Sequence, residues 1–241
     1  MALDNVDTWE LIWADEFDKA AIDTTNWCYD IGGDGWGNGE LEYYTDRTDN
    51  SYIENGCLVI VAKKESYSGK YYTSARMKTQ GLRSFTYGKI EAKIKATNAN
   101  GKWIAFWTLG ENKTTNFHPR CGEIDIMERT NSNTWTNMGS HWYNLTTRTA
   151  QMTGSQLGNT DSSEWHVYGM EWDEEKIKFY LDDNYYKTMS INEEMNECFN
   201  SPQYILLNLA IGGSYPGNTI DATKLPFKMY IDYVRVYGKK N

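Results

Sequence analysis

Apolar and polar side chains alternate with a two-residue period along much of this chain, the spacing of strands that bury one face and wet the other. The cleanest run lies within 85–96, where Ile90, Ala92, Ile94 and Ala96 share one face and Lys89, Glu91, Lys93 and Lys95 the other. Strands are predicted on similar ground at 11–17, 72–77, 102–107, 139–143, 168–172, 177–181 and 229–237. Residues 204–210 are apolar except Asn208, which falls opposite Leu207 and Leu209 and so points toward a polar face. Asn55-Gly56 is a hairpin signal joining 51–53 to 57–61. Helical spacing surfaces at one place, where Ser190 and Glu193 make a capping box for Ile191, Met195 and Phe199 at i, i+4 and i+8. About a dozen short strands with Gly and Asn turns predict an all-β protein, most simply two antiparallel sheets face to face.

One run in that pattern carries chemistry. In Cys121-Gly122-Glu123-Ile124-Asp125-Ile126-Met127-Glu128-Arg129 the strand period puts Glu123 and Asp125 on one face and Ile124 and Ile126 on the other. Glu128 has the wrong parity. It is restored if Met127 is the extra residue of a β-bulge, a device that re-aims side chains and recurs beside active sites. Glu123 and Glu128 then stand about four strand steps apart, roughly 13 Å between Cα atoms. Leaning together across Asp125, their carboxyls approach to about 5 to 6 Å, as in a retaining glycosidase; an inverting one needs about 6.5 to 9.5 Å. Three carboxyls this close do not all ionise cheaply, so one is expected to keep its proton near neutrality as a general acid beside an ionised nucleophile. Spacing leaves open which Glu takes which role, and alternating acid and Ile is also the pattern of any half-solvated sheet face.

Composition narrows the class. The 241 residues, 27.9 kDa, suit a single domain spanning 1–241 with a sizeable core. Aromatics make up 15% of the chain, ten Trp and eighteen Tyr among them, which favours strands and suits a carbohydrate binder. A net charge of -9 and a pI near 4.9 argue against nucleic-acid and anionic-membrane partners. The glycine-rich run 32–39 has neither a following helix nor a closing Lys-Ser/Thr, so it is no phosphate loop. Met1 to Asp4 show no basic, apolar leader, which leaves an intracellular protein or a mature secreted chain; the second is the expectation, as a monomer. Cys28, Cys57, Cys121 and Cys198 lack metal spacing and are expected to be scattered buried thiols, two disulfides being the alternative.

Residues 122–128, Gly-Glu-Ile-Asp-Ile-Met-Glu, resemble the signature of glycoside hydrolase family 16 in its bulged, laminarinase-like form, and the resemblance covers most of 9–238. It implies a β-jelly-roll sandwich of two curved antiparallel sheets, with the acids in an open cleft. It also implies an endo-acting retaining hydrolase of β-1,3 or mixed β-1,3-1,4 glucans, with a β-glucan polysaccharide as partner and no catalytic cofactor. Glu123 is then the nucleophile, Asp125 its support and Glu128 the acid/base. Asn38 in the 36–44 loop, Trp103 as a stacking platform, Trp107, and His141 beside the acids are implied cleft contacts, to which parity adds Asn208. Arg76 is either a cleft-facing donor or a salt-bridged surface residue, and Trp36 either a sugar contact or a packing aromatic. The chain departs from the family at Glu42, where Gln is usual, and at His118 and Tyr215, where Trp is frequent; His118 is still expected to line the innermost subsite. A structural Ca²⁺ is implied at Asp232, with backbone oxygens near Glu16 and Gly56. A galactan hydrolase of agarase or carrageenase type and a non-catalytic, lectin-like jelly roll are the alternatives.

Overall fold

The computed structural model describes residues 8–240; Met1 to Asp4, on which the reading of the leader rests, lie outside the described residues. The first third of the chain supplies β1 (Trp9–Asp15), β2 (Cys28–Asp30), β3 (Glu42–Tyr44), β4 (Ser51–Glu54), β5 (Cys57–Tyr67), β6 (Lys70–Ser74) and β7 (Arg76–Lys78). The middle supplies β8 (Gly88–Ala96), β9 (Lys102–Gly110), β10 (Glu123–Thr130), β11 (Thr136–Asn144) and β12 (Thr149–Leu157). Then follow β13 (His166–Trp172), β14 (Lys176–Leu181), β15 (Asn184–Ser190), the single helical turn α1 (Asn196–Phe199), β16 (Gln203–Ile211) and β17 (Phe227–Lys239).

These strands build the expected two-layer all-β sandwich. One sheet runs β15-β14-β13-β8-β17-β5-β6-β3, with β1 also on β17 and β4 also on β5; the other runs β12-β11-β10-β9-β16-β7-β2. Neighbours pair antiparallel, β3 with β6 being the parallel exception. Between the layers lies one apolar core, to which Ile60, Ile90, Ile94 and Val234 come from the first sheet and Phe106, Ile124, Met127 and Leu207 from the second. Burial of that surface is the main force holding the layers together.

Local chemistry explains most element boundaries. Asn55 and Gly56 both have positive φ, 53° and 73°, as a two-residue hairpin turn between β4 and β5 requires. Along β8, Ile90, Ala92 and Ile94 are fully buried, but the opposite face is not simply wet: Glu91 is buried and accepts the hydroxyls of Tyr180 and Tyr237 at 2.7 and 3.0 Å. The run 72–77 does not form one strand. It divides at buried Ala75 into β6 and β7, which belong to different sheets, so the alternation continues through a crossing from one layer to the other. The capping box also fails, because Ser190 is the last residue of β15; Asn192 instead accepts from the Glu194 amide at 3.1 Å, and the helix shrinks to one turn. Its apolar spacing survives, with Met195 and Phe199 buried. All four cysteines are unpaired thiols, Cys121 and Cys198 buried but Cys28 and Cys57 only half-buried. Among the described residues no helix is long and apolar enough to cross a membrane.

Candidate active site

Strand β10 lies inside its sheet, between β9 and β11. Against β9 its register steps from Asp125↔Trp107 to Met127↔Phe106, leaving Ile126 without an opposite residue. Against β11 it steps from Asp125↔Gly139 to Glu128↔Asn137, so Ile126 and Met127 together face one residue. The bulge thus falls where parity demands it, although the residue extruded from the β9 ladder is Ile126 rather than Met127. Both side chains are fully buried. Turning the backbone between them lets two consecutive apolar groups enter the core and returns Glu128 to the face of Glu123 and Asp125. The three carboxyls line one cleft of about 780 Å³.

Within that cleft the acids are not equivalent. Glu128 is pushed up to about 8, chiefly by burial and then by the Asp125 carboxylate, while a hydrogen bond from Trp103 Nε1 to its Oε1, at 2.9 Å, pulls the other way. Burial, with the neighbouring Glu123 charge, holds Asp125 well above the ordinary carboxylate range. Glu123 meets imidazoles instead: His118 Nε2 stands 3.2 Å from its Oε2 and His141 Nε2 3.7 Å from its Oε1. The same His141 nitrogen lies 3.4 Å from Asp125 Oδ2. The arrangement separates a proton-holding acid from a carboxylate faced by nitrogen donors, which is the division of labour that acid-assisted nucleophilic displacement needs.

Residues 39–235 match the sequence profile of Glycosyl hydrolases family 16. The chain belongs to that family. It is 38% identical to a β-glucanase of Rhodothermus marinus over 97% of this chain and 87% of that protein. It is 40% identical to the clotting factor G alpha subunit of Tachypleus tridentatus over 95% of this chain, but spans only 34% of that protein's length. The laminarinase catalytic domain of Thermotoga maritima has the same fold, with a TM-score of 0.87 at 40% identity, covering 97% of this chain and 99% of that one. The chain is thus a glycosidase with a jelly-roll scaffold, and the acids of β10 line its cleft.

All seven cleft contacts expected of this family 16 enzyme, Asn38, Arg76, Trp103, Trp107, His118, His141 and Asn208, do line the cleft. Their partners refine what each can do. Trp103 is tied at both ends, its N–H to Glu128 and its ring edge-on to Tyr215 at 5.5 Å. Trp107 donates to Asn208 Oδ1 at 2.8 Å, and the Arg76 guanidinium lies 4.7 Å from its ring centroid and 4.8 Å from that of Trp36. Arg76 combines its two readings: it lines the cleft, yet it is buried and ion-paired to Asp30 at 2.9 Å. Asn38 donates to Glu40 Oε1 at 3.1 Å. Glu42 is no cleft residue. It is fully buried, accepts the Ile211 amide at 2.6 Å, and is held well above the usual carboxylate range by burial and Glu40, so it anchors the 36–44 loop to β16.

Sequence reasoning misses two parts of the wall. Strand β12 contributes Thr153, Ser155 and Gln156 but has no sustained apolar period at the sheet edge, Met152 and Leu157 being its large apolar side chains on opposite faces. Asn137 stands opposite Glu128 in the ladder, 7% exposed, with its Nδ2 unpartnered in the protein and the side chain lining the cleft. A buried amide donor costs free energy unless something accepts from it.

The residues implied for Ca²⁺ do not suit that ion. Calcium needs six to eight oxygens, carboxylates prominent among them. The Asp232 carboxylate is instead ion-paired to Lys93 at 2.8 Å, and Lys95 lines the same small pocket. The Glu16 carboxylate is taken by Arg235 at 2.8 Å through both oxygens. Two ammonium groups thus stand against the one side-chain carboxylate, Asp232, that the site would offer.

Proposed function

We propose that this family 16 hydrolase is an endo-acting, retaining β-glucanase that cuts β-1,3 or mixed β-1,3-1,4 glucans, working outside the cell as a monomer. The observation that carries the reading is a carboxylic acid at about 8, Glu128, delivered by the bulge onto the same cleft face as Glu123. Glu123 attacks the anomeric carbon while Glu128 protonates the departing glycosidic oxygen, giving a covalent glycosyl-enzyme. Glu128, now a base, takes a proton from water, which displaces Glu123 and restores both groups with net retention. Cleft-lining residues come from β12, β11, β10, β9, β16 and β7, adjacent strands that span about 24 Å at roughly 4.8 Å each. A groove of that length holds several rings at once, which favours cutting within a chain. The likeness to a β-glucanase and a laminarinase supports glucan as the polymer.

Reducing-end release from laminarin, barley mixed-linkage glucan, cellulose and agarose, run side by side, tests this. Release mainly from laminarin identifies a β-1,3-glucanase, and release mainly from barley glucan means that His118 and Tyr215 narrow the subsites to mixed linkages. Agarose cleavage would replace the reading with a galactanase, and binding without cleavage with a lectin. A Glu123→Gln variant that keeps appreciable turnover would sink the assignment of the nucleophile.

A further inference from the structure

His118 and His141 are two of only three histidines in the chain, and they converge on one carboxylate. His141 is on β11, directly opposite Glu123 in the ladder, while His118 belongs to the segment leading into β10. No local motif brings them together; the fold does. One ligand atom from each of His118, Glu123 and His141 lies within 4.8 Å of the others, and the two imidazole rings are tilted at 51° rather than stacked.

These spacings are those of a small coordination sphere. An ion bound at about 2.0 to 2.2 Å by nitrogen and oxygen holds tetrahedral ligands roughly 3.3 to 3.5 Å apart. The two His–Glu123 approaches, 3.2 Å to Oε2 for His118 and 3.7 Å to Oε1 for His141, lie close to that value, each imidazole facing its own oxygen of the one carboxylate. The His118 side chain is 44% exposed, so solvent and ions reach the site from its side. Two imidazoles and one carboxylate favour borderline ions such as Zn²⁺ and Cu²⁺ over Ca²⁺ and Mg²⁺, which take oxygen donors. Asp125 lies 3.4 Å from His141 Nε2 at the inner edge of the site.

We infer that His118, His141 and Glu123 form a binding site for a borderline divalent ion, Zn²⁺ or Cu²⁺, and that an ion held there silences the hydrolase by occupying its nucleophile. The binding half stands on geometry alone; the silencing half rests on the reading of Glu123 as nucleophile. Coordination uses the imidazole Nε2 lone pairs and a carboxylate oxygen, the proton each Nε2 turns toward Glu123 passing to Nδ1 or to solvent, so affinity falls as pH is lowered and a chelator reverses the binding.

Calorimetric titration of ZnCl₂ into the tag-free chain, with His118→Phe, His141→Gln and His166→Gln beside the wild type, tests the site. His166, whose Nδ1 lies 2.6 Å from Asp182 Oδ2, is on the other sheet and serves as the control. One Zn²⁺ per chain is expected for the wild type and His166→Gln, with affinity weakened at least about tenfold by each cleft substitution while circular dichroism shows the folded spectrum. Laminarin hydrolysis by the wild type is expected to fall as the site fills and to return with EDTA. Absence of Zn²⁺ binding by the wild type, or wild-type affinity in both folded cleft variants, overturns the site. Binding through both histidines without inhibition overturns the silencing half. Binding through both histidines in a protein that hydrolyses no glucan even free of metal upholds the site and overturns the glucanase reading instead.

Discussion

The indole nitrogen of Trp103 donates to Oε1 of Glu128 at 2.9 Å, across neighbouring strands β9 and β10. This bond fixes the acid's orientation and offsets part of the upward push that burial and Asp125 exert on it. Because Glu128 must be protonated to act as acid, kcat/KM is expected to fall as pH rises through about 8. Trp103→Phe keeps a ring but deletes the donor, so the alkaline limb should move to higher pH while kcat drops about tenfold. A pH–rate profile of the two proteins checks both effects, and an unmoved limb would show that the indole does not tune Glu128.

The same raised acid makes a statement about stability. Its carboxyl ionises near the ordinary 4.5 in the unfolded chain but at about 8 when folded, so the folded state loses relative stability as pH climbs between those values. Glu128→Gln removes that penalty. The variant should melt with the wild type at pH 4 and several degrees above it at pH 8, a gain of a few kcal/mol at most, while losing its turnover. Thermal melts at pH 4, 6 and 8 read this directly.

Much of this site is legible in the chain because parity is a strong constraint: Glu123, Asp125 and the misfit of Glu128 together demand a bulge in one short window. Placing the extra residue at Met127 rather than Ile126 is the error that remains, since both are apolar and only the pairing with β9 tells them apart. Asn137 is illegible for the related reason that its position opposite Glu128 exists only once the bulge has shifted the register. The division of 72–77 at Ala75 escapes as well, because alternation looks the same whether a strand stays in one sheet or crosses between two. The helix start fails where Ser190 is needed as a strand residue in pairing with Lys176, tertiary pairing overriding a local cap.

Asn137→Ala should lower kcat/KM on polymeric glucan about tenfold, because the side chain lines the cleft directly opposite Glu128 in the ladder. Its melting temperature should hold or rise, since deleting an unpartnered buried amide removes a desolvation cost rather than a bond. Kinetics and thermal melts together separate this from a packing role, which would lower both.

Chelation should leave the fold untouched. With Asp232 committed to Lys93 and Glu16 to Arg235, EDTA or added Ca²⁺ is expected to shift the melting temperature by less than about one degree. A Ca²⁺-dependent rise that Asp232→Ala abolishes would restore the metal implied by the family resemblance.

Gly122 tests how tightly the approach to the nucleophile is built. It precedes Glu123 with φ at 79°, in the left-handed region, and a Cβ added there would stand 2.6 Å from the backbone carbonyl oxygen of Cys198. Its own N–H reaches the Pro119 carbonyl at 3.1 Å, and its carbonyl accepts the Gly110 amide at 3.1 Å, so the backbone cannot move aside without breaking the entry to β10. Gly122→Ala therefore combines conformational strain with a clash against main chain, about 2 to 4 kcal/mol together. For a chain of this size that lowers the melting temperature by roughly 5 to 10 °C. Activity measured well below the melt should fall too, because the strain is relieved by displacing Glu123 itself; a variant that melts early yet turns over normally would show that the site is decoupled from the turn that feeds it.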